Sequence, residues 1–295
     1  MSEKISFFMK KYQDRIEGLL LNVFPKDLED DPTVKAAMYS LLAGGKRIRP
    51  VLMYMVADML KLDLSVADDF AVAMEMVHTY SLIHDDLPCM DNDDFRRGKP
   101  SCHKAFPENI ALLAGDALNT LAFEVISNAT LEGRISAQSA VMLISVLSKG
   151  VGVDGMIGGQ VIDLMCEGKE IDIETLNKLQ SLKTGALIEA ACVMGVILSG
   201  KFDMIPQAAE YASALGRAFQ IVDDLLDVNG SFEELGKPIG SDKQQNKCTY
   251  VTLLGETRSR QIASQLTMQA LGHLTKFENN LFLSELTEDM LNRRK

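Results

Sequence analysis

Apolar residues recur along most of this chain at spacings of three and four, the pattern of helices with one buried face. Val34, Met38, Leu41 and Leu42 keep that spacing until Gly44-Gly45 stops the segment. Residues 66–86, 108–128, 136–149, 174–198 and 206–228 each read as helices. No convincing period-two strand and no series of hairpin turns interrupts them. The eight prolines lie mostly at element edges, as at Pro32, Pro107 and Pro206. No Pro/Gly/Ser-rich linker or fixed-period repeat divides the chain. The expectation is one all-α domain over residues 1–295, with a core too large for a simple four-helix bundle.

Two segments break the ordinary amphipathic pattern. In YASALGRAFQIVDDLLDV, residues 211–228, Tyr211, Leu215, Ala218, Val222, Leu225 and Leu226 form an apolar stripe. Gln220, Asp223, Asp224 and Asp227 fall on the opposite side, within about 100° of one another. Solvated helix faces usually interleave Lys and Arg, and like charges at these spacings repel. No basic residue is interleaved from Gln220 to Asp227, and a divalent cation would turn the repulsion into attraction. The second segment is HDDLPCMDNDDFRRGKP, residues 84–100. Met74, Val77, Ser81, Leu82 and Asp85 keep helical spacing until Pro88, which disfavours continuation. Asp85 and Asp86 then occupy the last turn, against the negative end of the helix dipole, and Asp91 comes from the loop beyond.

Basic residues narrow the choice of ligand. Arg96-Arg97 follow the first acidic set at once, Lys46, Arg47 and Arg49 crowd into AGGKRIRP, and Lys183-Thr184-Gly185 and Lys247 complete the group. Guanidinium and ammonium groups beside Mg²⁺-type carboxylates suit a diphosphate. Six carboxylates and a diphosphate balance about three Mg²⁺ and three Lys/Arg. Taken alone, AGGKRIRP reads as a glycine helix stop with solvated basic residues. A di-iron reading of Glu75-Met-Val-His78 fails, because His84, His103 and His273 have Ser81, Pro100 and Ala270 three residues earlier and no second Glu-x-x-His exists. No Cys/His set has zinc spacing.

Composition adds exclusions. Of 295 residues 47% are apolar and 24% charged, which is globular rather than disordered. A net charge of −11 argues against general nucleic-acid binding. Five cysteines without a CxxC pair predict free thiols in a reducing compartment. The N-terminus lacks the features of a signal peptide, and no uncharged apolar run reaches the roughly 18–20 residues of a membrane span. A cytoplasmic protein is expected.

HDDLPCMDNDDFRRGKP and FQIVDDLLD (219–227) together resemble the two aspartate-rich motifs of the trans-isoprenyl diphosphate synthases. GGKRIRP, GGQVIDL (158–164), KTG (183–185) and GKPIGSDKQQNKCTY (236–250) resemble further blocks of that family in the right order. The four-residue gap between Asp86 and Asp91 is closest to the bacterial farnesyl diphosphate synthases.

The resemblance implies a single large bundle of ten or more helices around a central active-site cavity. It also implies a homodimer and a Mg²⁺-dependent condensation of isopentenyl diphosphate with an allylic diphosphate, with Mn²⁺ a possible substitute. Asp85, Asp86, Asp91, Asp223, Asp224 and Asp227 would hold the metal, with Asp85, Asp91 and Asp223 as direct ligands. Arg96, Lys183 and Lys247 would neutralise the departing diphosphate, and Thr184 and Gln220 would face the cation. Lys46, Arg49, His78 and Arg97 would hold isopentenyl diphosphate, with Lys237 in a weaker supporting place. Tyr80 and Ser81 would floor the chain pocket, and the bulk of Tyr80 favours a C15 over a C20 product. A geranylgeranyl synthase, a terpene cyclase and a non-catalytic subunit are the alternatives. Asp93 and Asp94 receive no role and read as a solvated loop.

Overall fold

The structure, a computed structural model, describes residues 3–229 and 248–291. Lys237 and Lys247 lie outside them. The described chain is all-α, as expected, apart from one ribbon of two-residue strands. Contact density divides it into two compact units, Phe7–Ile144 and Met1–Ser6 with Ser145–Lys295.

In the first unit, most of α1 (Glu3–Leu20) is followed by α2 (Pro32–Leu41), α3 (Ile48–Met59) and α4 (Leu64–Asp85). Asp31 caps α2 by accepting from Thr33 and Val34 N–H, with Pro32 at the first helical position. Gly44 and Gly45 then turn the chain at φ 80° and 132°. Helix α4 is the axis of this unit and packs on both α3 and α6 (Glu108–Leu131). Every residue from Phe70 to Val77 is buried, so α4 has no solvated face there and is a core helix.

Past α4, strands β1 (Phe95–Arg96) and β2 (Lys99–Pro100) pair antiparallel, with Phe95 opposite Pro100 and Arg96 opposite Lys99. The sequence reading missed this ribbon. Its signal is Arg97-Gly98, both at positive φ (53° and 75°), the pattern of a two-residue hairpin turn. Short helix α5 (Cys102–Ala105) leads into α6, and α7 (Ala137–Val151) begins in this unit.

In the second unit, α8 (Met156–Cys166) precedes α9 (Ile173–Gln180), a π-helical turn (Ser181–Gly185) and α10 (Ala186–Leu198). The helix expected over 174–198 is therefore interrupted by one wide turn. Helix α11 (Ile205–Asn229) packs on α10 and on α13 (Glu256–Leu274), with α12 (Tyr250–Leu254) and α14 (Leu281–Leu291) completing the unit. Of the predicted stripe, Tyr211, Leu215, Ala218, Val222 and Leu225 are buried and Leu226 is half-buried.

All five cysteines are free. Glu108–Leu131, Ala137–Cys166 and Ile173–Leu198 are long and apolar enough to cross a membrane by length and composition, a result that a search for charge-free runs did not anticipate. The apolar window of Ile173–Leu198 is 61% buried inside the protein, against 33% and 39% for the other two. Ile173–Leu198 thus spends most of its apolar surface on the core, while the other two leave Leu112, Leu113, Leu131, Val141, Ile157, Val161 and Met165 exposed.

Within the first unit, Asp68 accepts from Arg15 Nε and Nη2 at 2.6 and 2.7 Å and from Tyr54 Oη at 2.8 Å. Asp68→Ala strands a buried phenol and a guanidinium together, and is expected to lower stability by about 1–3 kcal/mol in urea denaturation. A change below about 0.5 kcal/mol contradicts a structural role for this carboxylate.

Candidate active site

The first acidic set sits where α4 stops. Asp86 caps the helix, and the chain beyond Pro88 folds back so that Asp91 N–H donates to the Asp85 carbonyl at 2.9 Å. Asp91 thus returns to the helix end from the loop. Asp85 and Asp91 are partly exposed, whereas Asp86 is buried. Arg96 forks onto Asp86 through Nη2 and through Nε at 3.0 Å, and also reaches Asp93 at 3.2 Å. Burial opposes the Arg96 charge, but Asp86 first and then Asp93 and Asp85 overcome it, and its pKa is raised. For Asp86, burial outweighs Arg96 and its pKa is raised as well. Sequence reading assigned Asp86 to metal and Arg96 to diphosphate; the structure pairs them with each other. Asp94, read as solvated, pairs with Lys104 at 2.8 Å.

A cationic cluster lies earlier on α4. Arg47, at φ 48° just before α3, is buried and donates to Glu17 at 2.7 Å, to the Leu41 carbonyl at 2.7 Å and to Glu75. Arg97 donates to the Gly44 carbonyl and stands 3.7 Å from Glu75. Gly45 makes room for it, since a Cβ there would lie 2.7 Å from Arg97 Cζ. Burial first pulls the Arg97 pKa down, with Arg47 and Arg96 adding to it. Burial brings Arg49 down to about 10, with Glu75 opposing and Arg97 assisting. Its Nε and the Nδ1 of His78 are shielded and have no hydrogen-bond partner among the described residues. Burial, then the charges of Arg49, Arg97, Arg47 and Arg96, hold His78 well below the usual imidazole range. Lys46 is exposed. The structure therefore gathers Arg49, His78 and Arg97 into one place with more positive charge than carboxylate, as an anion site requires.

Beside the cluster, Tyr80 is buried, its hydroxyl has no hydrogen-bond partner among the described residues, and burial first and Asp85 second push its pKa up to about 12. Ser81 Oγ donates to the His78 carbonyl at 2.8 Å.

In the second unit, Asp223 is partly exposed while Asp224 and Asp227 are buried. The polar face of α11 is therefore not a solvated one. Asp224 accepts from Tyr250 N–H at 2.8 Å and from Gln220 Nε2 at 3.2 Å, which ties α11 to the start of α12. Lys183, in the π turn, donates to Asp163 of α8 at 2.6 Å. Gly159 permits that approach, because a Cβ there would stand 2.6 Å from Lys183 Cα. Thr184 occupies the same turn and is partly exposed. The π turn left no separate mark in the hydrophobic pattern, although KTG lies inside it.

Among the described residues no three His, Cys, Asp or Glu side chains converge as a ready metal cage. The donors available are carboxylate oxygens, and their chemistry fits Mg²⁺, which keeps several waters and needs few protein ligands. Asp85, Asp91 and Asp223 are the most open of the six.

Acidic helix segments and a separate arginine cluster, carried on an all-α frame, define the isoprenoid synthase class. Within that class the chain belongs to the polyprenyl synthetase family, whose profile matches residues 31–288. It is 40% identical to a farnesyl diphosphate synthase of Haemophilus influenzae over 97% of this chain and 97% of that one. It is 44% identical to a chloroplastic geranylgeranyl pyrophosphate synthase of Catharanthus roseus over 87% of this chain and 74% of that one. A geranyltransferase of Helicobacter pylori, solved with magnesium and isoprenyl diphosphate, superposes with a TM-score of 0.82 at 36% identity, covering 99% and 97% of the two chains.

A neutral His78 makes a pH signature. Below about pH 6.5 the unfolded chain takes up a proton on this residue that the folded chain refuses, so stability falls as pH drops through that range. His78→Gln is expected to flatten that fall in urea denaturation between about pH 7.5 and about pH 5.5. An equal fall in both proteins contradicts a neutral, shielded imidazole.

Proposed function

We propose that this chain is a Mg²⁺-dependent trans-prenyltransferase that condenses isopentenyl diphosphate with dimethylallyl or geranyl diphosphate to make (E,E)-farnesyl diphosphate. One observation carries the reading. Helix α4 presents a shielded cationic cluster at His78 and an acidic end at Asp85, seven residues or about 10 Å apart along the axis. One helix thus offers a place for a diphosphate held by cations alone and a neighbouring place for one held through metal.

Each residue's part is the one that the family resemblance implies, and its chemistry is consistent with it. Arg49, Arg97 and His78, with Lys46 at the exposed edge, hold isopentenyl diphosphate by charge and hydrogen bonds. Asp85, Asp91 and Asp223 are direct metal ligands, and Asp86, Asp224 and Asp227 act through water or by fixing their neighbours. Bound Mg²⁺, about three ions with Mn²⁺ as a substitute, supplies charge that stabilises the departing diphosphate. Arg96 and Lys183, each now resting on an aspartate, and Lys247 add positive charge there. Thr184 and Gln220 offer oxygen atoms to an allylic cation, which survives only where water is excluded. The leaving diphosphate takes the proton lost from the condensed product, so no further base is required. Tyr80, with Ser81 beside it, limits chain growth. The protein is further proposed to act as a single polyprenyl synthase domain, as a homodimer, in the cytoplasm.

Incubation with Mg²⁺, isopentenyl diphosphate and geranyl diphosphate, followed by chromatography of the dephosphorylated products, tests the reading. Farnesol is expected; geranylgeraniol as the main product overturns the C15 assignment, and no condensation overturns the activity. Tyr80→Ala is expected to lengthen the product, and an unchanged C15 product contradicts the floor role. Asp223→Ala is expected to lower turnover by about a thousandfold or more with circular dichroism unchanged; near-normal turnover removes it from the metal set.

A further inference from the structure

Glu75 is fully buried and sits one turn before His78 on α4. As half of a di-iron motif it led nowhere. Its surroundings give it another use. Oε1 accepts from Arg47 and lies 3.7 Å from Arg97 Nη2, while Oε2 is shielded and has no hydrogen-bond partner among the described residues. Arg47 has a second carboxylate in Glu17, at 2.7 Å. A buried ion pair for Arg47 alone therefore does not account for Glu75. Arg49 and Arg97 repel each other, and the Glu75 carboxylate, 3.7 Å from Arg97, offsets that charge at both.

We propose that Glu75 is a positioning residue for the isopentenyl diphosphate subsite, holding Arg49 and Arg97 together against their mutual repulsion, with Arg47 as the fixed anchor. The proposal rests on the functional reading of that subsite given above. Two effects oppose each other when the carboxylate is neutralised. The cluster gains a unit of positive charge, which attracts anions at long range but is screened by salt. It also loses the counter-charge that keeps two guanidiniums in one arrangement at close range, in a shielded place where such interactions are strong. The second effect dominates, so isopentenyl diphosphate binds more weakly.

The test uses the full chain with Glu75→Gln and Glu75→Asp. In steady-state kinetics, Glu75→Gln is expected to raise KM for isopentenyl diphosphate roughly tenfold or more, with kcat and KM for geranyl diphosphate within about twofold. Glu75→Asp keeps the charge and is expected to recover part of that loss. Calorimetric titration of isopentenyl diphosphate without Mg²⁺ should show the same weakening, independently of turnover. An unchanged or lowered KM, or an equal rise for both substrates, overturns the proposal. If the Gln variant does not fold, Glu75→Asp alone must show a rise confined to isopentenyl diphosphate, and its absence overturns the proposal equally. Wild-type protein that makes no prenyl diphosphate instead overturns the functional reading, whereas active wild type with an unshifted Glu75→Gln overturns this inference alone.

Discussion

One fully buried carboxylate among arginines governs the geometry of the first unit. Charges that are shielded from water and unpaired are costly, and those that are paired are held in place. Glu75 takes Arg47, and Arg47 in turn ties α1 through Glu17 and the end of α2 through the Leu41 carbonyl. Two arginines, Arg47 and Arg97, sit at positive φ, a conformation that persists only where the surroundings over-determine it. Gly45 leaves space for one of them, and the hairpin turn aims it. The glycines, the tight ribbon and the buried helix serve one end: guanidinium groups gathered with less negative charge than they could use.

The acidic residues divide along a similar line. Asp86 and Asp224 are buried and spent on protein partners, a guanidinium in one case and a helix N-terminus in the other. Asp85, Asp91 and Asp223 are more open. A buried carboxylate contributes charge and rigidity at little further desolvation, while a more exposed one can trade water for a hard cation. The same division recurs among the basic residues. Lys183 and Arg96 rest on Asp163 and Asp86, so in the roles proposed for them a diphosphate would compete with an internal carboxylate for each. Arg49 instead keeps a nitrogen with no hydrogen-bond partner among the described residues.

The sequence showed which residue types belong together but not which pair. Helical spacing revealed the elements around Val34, Val77 and Tyr211, because each has a periodic apolar stripe. It was weaker for α3, whose residues from Pro50 to Ala57 are all buried, since a helix buried all round has no contrast between faces. The π turn escaped because one extra residue per turn barely disturbs a hydrophobic pattern. Asp86 and Arg96 were both identified, yet their mutual bond depends on the ribbon, whose signal is two residues long. Glu75 was read as an incomplete metal motif, since nothing local reveals that Arg47, 28 positions earlier, reaches it. Asp93 and Asp94 had no partner in sequence and acquired Arg96 and Lys104 in space.

In the proposed reaction one diphosphate is bound by protein cations and the other by metal on carboxylates. Calorimetric dissociation constants for isopentenyl diphosphate and for a non-ionisable thio analogue of geranyl diphosphate, each with Mg²⁺ and with chelator, test this most directly. The account predicts isopentenyl diphosphate binding that is nearly indifferent to Mg²⁺, and analogue binding that is lost without it. Equal dependence of the two ligands on Mg²⁺, or indifference of both, would contradict it.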